Sequence, residues 1–131
     1  MHKGSCLCGA VEYEIAGPLG PVVYCHCSRC RKASGSAFNA MSPVSAADFR
    51  IVKGQECLRD YRNSAGVNRV FCGMCGSPII GKRDSAPEIV RVRIGTLDTP
   101  VNSQVSSHVF AGSKASWDEI LDHAPQYEER P

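Results

Sequence analysis

The run Tyr24-Cys25-His26-Cys27-Ser28-Arg29-Cys30-Arg31-Lys32 places three thiols within six residues and follows them with cations. Soft ligands spaced that closely suit a metal better than a disulfide framework. Zinc held by thiolates normally takes four ligands, so a cluster of three either borrows a fourth or leaves a position open for substrate or water.

Two further cysteine pairs lie on either side of this run. Cys72-Gly73-Met74-Cys75-Gly76 has the knuckle spacing that turns both sulfurs toward one ion while backbone N–H groups point at them. Cys6 and Cys8 form a tighter pair, also followed by glycine, and the two pairs together would complete one tetrahedral site. Such a closed site would stabilise rather than catalyse, and its binding energy would be folding energy, on the order of 10 kcal/mol. Spacing alone leaves a second pairing open, Cys27 and Cys30 with Cys72 and Cys75. Cys57 stands alone in Glu56-Cys57-Leu58-Arg59 and reads as a small apolar filler on a strand. The remaining seven divide as four plus three.

The elements that must carry these thiols read as short strands. Val11, Tyr13 and Ile15 alternate with Glu12 and Glu14, the period-two pattern of a strand with one buried face. Ser28 to Ser34 predicts a short helix, with Ser28 as N-cap and Gly35 as its stop. Extended segments are expected at Phe38 to Met41, Phe49 to Lys53 and Val105 to Phe110, and a single turn at Ser45 to Asp48. Leu58 to Arg62 and Val67 to Phe71 bracket a turn-forming loop and predict a hairpin leading into Cys72. In Ile89 to Ile94, Val90, Val92 and Ile94 alternate with Arg91 and Arg93. Ser116-Trp117-Asp118-Glu119 carries a capping-box signature and predicts a helix reaching about His123. The sum is a mainly antiparallel β fold with one or two short helices, stapled by metal.

Composition sets the frame. At 131 residues, 43% apolar and 21% charged, the chain fits one globular domain, 1–131. The formal charge of +2 counts every thiol as neutral. Seven thiolates and two divalent ions would bring it to about −1, and neither value has the basic excess of a nucleic-acid binder. The N-terminal residues lack the apolar core of a signal peptide and no run is long enough for a membrane span, so a cytoplasmic protein is expected. Eight cysteines in a reducing compartment read as metal ligands or reactive thiols sooner than as disulfides.

At five places in order the chain resembles the glutathione-dependent formaldehyde-activating enzyme family: Gly-Ser-Cys-Leu-Cys-Gly-Ala-Val, Tyr-Cys-His-Cys-Ser-Arg-Cys-Arg-Lys-Ala-Ser-Gly, Phe-Cys-Gly-Met-Cys-Gly-Ser-Pro, Gly-Thr-Leu-Asp and His-Val-Phe-Ala-Gly-Ser-Lys-Ala-Ser-Trp. The resemblance implies a β-tent fold of antiparallel sheets. It implies a structural zinc on Cys6, Cys8, Cys72 and Cys75 and a catalytic zinc on Cys25, Cys27 and Cys30. It also implies a carbon-sulfur lyase that joins a glutathione-like thiol to formaldehyde or a similar small carbonyl as an S-hydroxymethyl adduct, or reverses that step. Gly73 stands where the family often has Pro, and Ser116 precedes Trp117 where Pro is common; neither touches a sulfur.

Around the open cluster, Arg29, Arg31 and Lys32 are candidates for attracting the carboxylates of the thiol, against the plainer expectation of solvated cations. His26 is a candidate proton shuttle, against packing or a backbone hydrogen bond. His108 matches a family position and is a candidate site residue. His2 and His123 read as surface residues, and Trp117 and Phe110 as core. Two other functions compete. A non-catalytic zinc protein would need Cys57 or a histidine as a fourth ligand for the second ion, and a rubredoxin-like protein would hold iron on four thiolates. Short edge strands would permit a homodimer without requiring one.

Overall fold

The computed structural model describes all 131 residues, Met1–Pro131. Its strands are β1 (His2–Ser5), β2 (Glu12–Ile15), β3 (Val22–Cys25), β4 (Asn39–Ser45), β5 (Phe49–Lys53), β6 (Leu58–Arg62), β7 (Val67–Cys72), β8 (Pro78–Arg83), β9 (Ile89–Arg93) and β10 (Val105–Val109). A single α-helix, α1 (Ser28–Ser34), and four 3₁₀ turns complete the chain. The fold is mainly β, as the alternating patterns require. It divides into two compact units, residues 1–20 with 42–101, and residues 21–41 with 102–131.

In the first unit β1, β2 and β5 form one antiparallel sheet, and β6 to β9 pair in sequence as a second antiparallel set. Alternation places Val11, Tyr13 and Ile15 inside, where they meet Ile79 and Val92 with none of the five more than 1% exposed. The Tyr13 hydroxyl remains satisfied there by Thr96 Oγ1 at 2.7 Å. The hairpin of β6 and β7 turns where Asn63 Oδ1 accepts the N–H groups of Ala65 and Val67, both at 3.0 Å. In β9 the alternation holds for Val90 and Val92 but also buries Arg93, whose guanidinium lies over Gly81 where a Cβ would stand in its way.

In the second unit β4 pairs antiparallel with β3 through residues 39–41, while β10 runs parallel to β3 on its other edge, matching His108 to Tyr24 and Val109 to Cys25. This parallel pair is an exception within the mainly antiparallel fold that the sequence predicts. A parallel partner needs a long crossover, and most of the chain intervenes between β3 and β10. β4 also runs further than expected, through Pro43 to Ser45.

The helix expected at Ser116 to His123 does not form. Asp118 N–H closes one turn on the Ala115 carbonyl, and the Lys114 ammonium occupies the carbonyls of Ala115 at 3.1 Å and Asp118 at 2.5 Å. The Asp118 oxygen is one that would have accepted a helical N–H, that of Asp122. Trp117 is consequently 73% exposed instead of lying in the core, and His2, expected on the surface, is half-buried. No helix is long and apolar enough to cross a membrane.

Gly54 occupies the left-handed region at φ 81°, and a Cβ there would strike the Ala10 carbonyl oxygen. Gly54→Ala should therefore lower folding stability by about 2 kcal/mol or more, read from the denaturant midpoint, because backbone strain and collision act together.

Candidate metal centre

Each unit carries one cysteine cluster. In the first, the turn after β1 presents Cys6 and Cys8 and the turn after β7 presents Cys72 and Cys75, and all four sulfurs lie within 4.8 Å of one another. In the second, the end of β3 and the start of α1 bring the sulfurs of Cys25, Cys27 and Cys30 within the same distance. The sequence left open a pairing of Cys27 and Cys30 with Cys72 and Cys75; those four do not come together as one group, and Cys57 joins neither.

The donor chemistry fits a metal. Cys6 and Cys8 sulfurs are 3.6 Å apart and those of Cys8 and Cys72 are 3.9 Å apart, far too long for a disulfide. A tetrahedral ion with sulfur at about 2.3 Å has ligand edges of about 3.8 Å. Backbone N–H groups of Val11 and Met74 donate to Cys6 and Cys72 sulfurs at 3.2 and 3.4 Å, the arrangement that supports thiolate charge.

Ionisation in this crowd is uneven. Ser77, by its hydroxyl and its backbone N–H, pulls the Cys75 thiol down to about 5. At Cys8 the Ala10 N–H works downward, but burial and the sulfurs of Cys6, Cys75 and Cys72 outweigh it and push the thiol up to about 11. Burial works upward on Cys6, yet the Val11 N–H and the thiols of Cys8 and Cys72 hold it below its ordinary value. Neighbouring sulfurs thus keep protons that a divalent cation would displace.

The second cluster is built differently. Cys27, not Ser28, is the N-cap of α1, with its sulfur accepting the Cys30 N–H at 3.3 Å, and Gly35 ends the helix in the left-handed region at φ 63°. Cys25 and Cys30 are buried against Met41, Val23, Val109 and Phe110. The Cys30 sulfur, with burial behind it, pushes the Cys25 thiol well up. No fourth cysteine, histidine or carboxylate belongs to this group. An open cavity of about 400 Å³ adjoins it, lined by Cys27, Ser28, Arg29, Phe110, Ser113, Glu128 and other residues of the same unit.

Of the flanking cations, Arg29 reaches this cavity and Arg31 Nε donates to the His26 carbonyl at 3.4 Å. The His26 ring is fully buried, and its partner is a side chain, not the backbone: Nε2 lies 2.8 Å from His108 Nδ1. His108 Nε2 in turn lies 3.0 Å from each carboxylate oxygen of Asp122. Burial first, and the His108 ring second, lower the His26 pKa, and the His108 hydrogen bond holds Asp122 below the usual carboxylate range. His123 is exposed as expected. Asp122, Glu128 and Glu129 were missed from sequence. Asp122 sits where the capping box predicted helix, and the glutamates reach the cavity because residues 125–129 exchange backbone hydrogen bonds with residues 108–112.

The model of the family described as glutathione-dependent formaldehyde-activating enzyme matches residues 1–113. The chain belongs to this family. A relative from Halomonas elongata that carries the family's name is 31% identical over 128 residues, covering 92% of this chain and 81% of that one. An uncharacterised lyase of Schizosaccharomyces pombe is 30% identical over 78 residues, 60% of this chain and 55% of its own. An Aspergillus flavus relative with the family's name is 23% identical over 116 residues, of which the chain spans 54% of the fungal length. Among solved structures, a Rhodobacter sphaeroides protein superimposes with a TM-score of 0.66 at 26% identity, covering 95% of this chain and 98% of that one.

Because the folded-state pKa of Asp122 is depressed, its contribution to stability is complete above the unfolded carboxylate value of about 3.9 and is lost as pH falls below it. The difference in thermal midpoint between wild type and Asp122→Ala should be full above about pH 5 and should close toward pH 2.

Proposed function

We propose that the chain is a zinc-dependent carbon-sulfur lyase of the S-(hydroxymethyl)glutathione synthase type. In the forward direction a thiol and formaldehyde combine: the sulfur bonds to the carbonyl carbon, the carbonyl π pair takes a proton, and the thiol proton is released, so the S-hydroxymethyl product has the summed composition of the two reactants. The observation that carries this reading is the three-cysteine group with no fourth protein ligand, opening on a cavity.

In this reading Cys25, Cys27 and Cys30 hold the catalytic ion, and Cys6, Cys8, Cys72 and Cys75 hold a structural one. Zinc at the three-cysteine site would supply an open position at which a substrate thiol loses its proton near neutral pH. The chain's own contribution is to orient and select. Arg29 on the cavity wall attracts a carboxylate of a glutathione-like thiol, while Phe110 gives the same wall an apolar surface. Burial of Cys25 and Cys30 shields that side of the cluster from water. Thiolate ligands of this kind remain available only in a reducing compartment, which supports a cytoplasmic location.

The non-catalytic alternative needs a fourth protein ligand at the second cluster, and neither Cys57 nor a histidine supplies one. The family match and the relatives' names also favour chemistry over a purely structural role.

Elemental analysis should find two zinc ions per chain in the wild type and one in Cys27→Ser, with the fold kept and glutathione binding lost. A single zinc unchanged by the substitution, or no response to glutathione, would overturn the reading. A coloured preparation containing iron would favour electron transfer instead.

A further inference from the structure

Three groups in the second unit form a continuous hydrogen-bonded chain. Asp122 carboxylate oxygens stand 3.0 Å from His108 Nε2, and His108 Nδ1 stands 2.8 Å from His26 Nε2. Both rings are buried, His26 at 0% and His108 at 2% exposure. The far nitrogen, His26 Nδ1, is buried and meets no hydrogen-bonding group of the protein.

With both rings neutral, an ionised carboxylate settles every proton in this chain. A carboxylate only accepts, so His108 Nε2 carries hydrogen and its Nδ1 is a bare acceptor. His26 Nε2 must then be the donor, which leaves the lone pair on His26 Nδ1. Ordinary buried nitrogens find partners, so an acceptor held bare inside the loop that bears Cys25 and Cys27 calls for a reason. The direction in which the protons point is set at Asp122, two rings away. Its orientation is fixed in turn, because Oδ1 also accepts the Ala124 N–H at 2.9 Å.

We propose that Asp122 and His108 are positioning residues that fix His26 as the Nε2–H tautomer and keep its Nδ1 as a hydrogen-bond acceptor within the three-cysteine loop. The chain of bonds also ties that loop to β10 and to the segment beyond it, together with the His26 N–H bond to the Val109 carbonyl at 3.0 Å. Nothing in this depends on which thiol is used. Only the effect on turnover rests on the function proposed above.

Asp122→Asn gives a defined reversal. The Ala124 N–H can only donate, so it keeps the amide oxygen at the Oδ1 position and leaves the new NH₂ group at the Oδ2 position, 3.0 Å from His108 Nε2, where a ring N–H would face a second donor. His108 relieves that donor–donor contact by accepting at Nε2 and carrying its proton on Nδ1, and His26 then accepts at Nε2 and moves its proton to Nδ1. Replacing a carboxylate by an amide in a serine-protease triad selects the wrong tautomer in the same way.

The test is a long-range proton–nitrogen correlation spectrum of protein labelled with ¹⁵N-histidine at about pH 8, where neutral imidazole predominates. Wild type should carry the protons of His26 and His108 on Nε2, and Asp122→Asn should carry both on Nδ1. Alongside, the rate of S-hydroxymethyl adduct formation should fall about 10- to 100-fold through kcat, with KM for the thiol unchanged, and Asp122→Glu should restore it. A wild-type proton on His26 Nδ1, or an Asp122→Asn spectrum that leaves it on Nε2, would overturn the relay. A reversed tautomer with undiminished turnover would overturn the positioning role. The wild-type spectrum alone can refute the relay, so the proposal stays exposed even where a variant does not fold. Should wild type form no adduct, the function proposed above fails while the spectra still decide this one.

Discussion

Sulfur crowding is the constraint on which the rest of the structure depends. Four thiols within 4.8 Å cannot all ionise beside one another, and the sulfurs of Cys6, Cys75 and Cys72 are among the causes that push Cys8 up. A divalent ion would resolve that conflict, and the energy it would make available, on the order of 10 kcal/mol, is comparable with the whole stability of a small domain. Cys8 and Cys72 stand 64 positions apart in sequence, so the meeting of their turns closes a long loop. Tyr13, Ile79 and Val92 then pack in the core beside Cys6 and Cys72.

The three-cysteine group meets the same conflict with one ligand fewer. Cys25 ends a strand, Cys27 caps a helix and Cys30 lies in that helix, so a single reversal of the chain sets all three. Their local origin frees this cluster from long-range closure. The long-range contacts here go instead to His26, whose ring reaches His108 in β10 and lies near the face of Phe38. Unit two thus spends its buried polar groups on orientation, whereas unit one spends its thiols on closure.

How much of this was legible depended on range. Local signals read well: the alternation at Val11 to Ile15, the Asn63 turn, the glycine stop at Gly35 and both cysteine knuckles all appear where the residues placed them. The grouping of Cys6 and Cys8 with Cys72 and Cys75 was readable through family resemblance, because spacing alone allowed another arrangement. The capping box at Ser116 failed where the Lys114 ammonium competes for the Asp118 carbonyl, one that a helix would use. The parallel placement of β10 and the meeting of Asp122 with His108 have no local pattern at all. They arise from tertiary pairing, which a short polar segment such as Leu121-Asp122-His123 does not announce.

The tail beyond β10 brings a different kind of consequence. Residues 125–129 are held by main-chain hydrogen bonds, which any residue except proline can make as donor, yet their side chains include the acidic wall of the cavity. The family match ends at residue 113, before this wall begins. Inheritance of the cysteine clusters and inheritance of the cavity's charge are therefore separable. A lineage can exchange Glu128 and Glu129 for other residues, and so recharge the cavity, without disturbing a single sulfur.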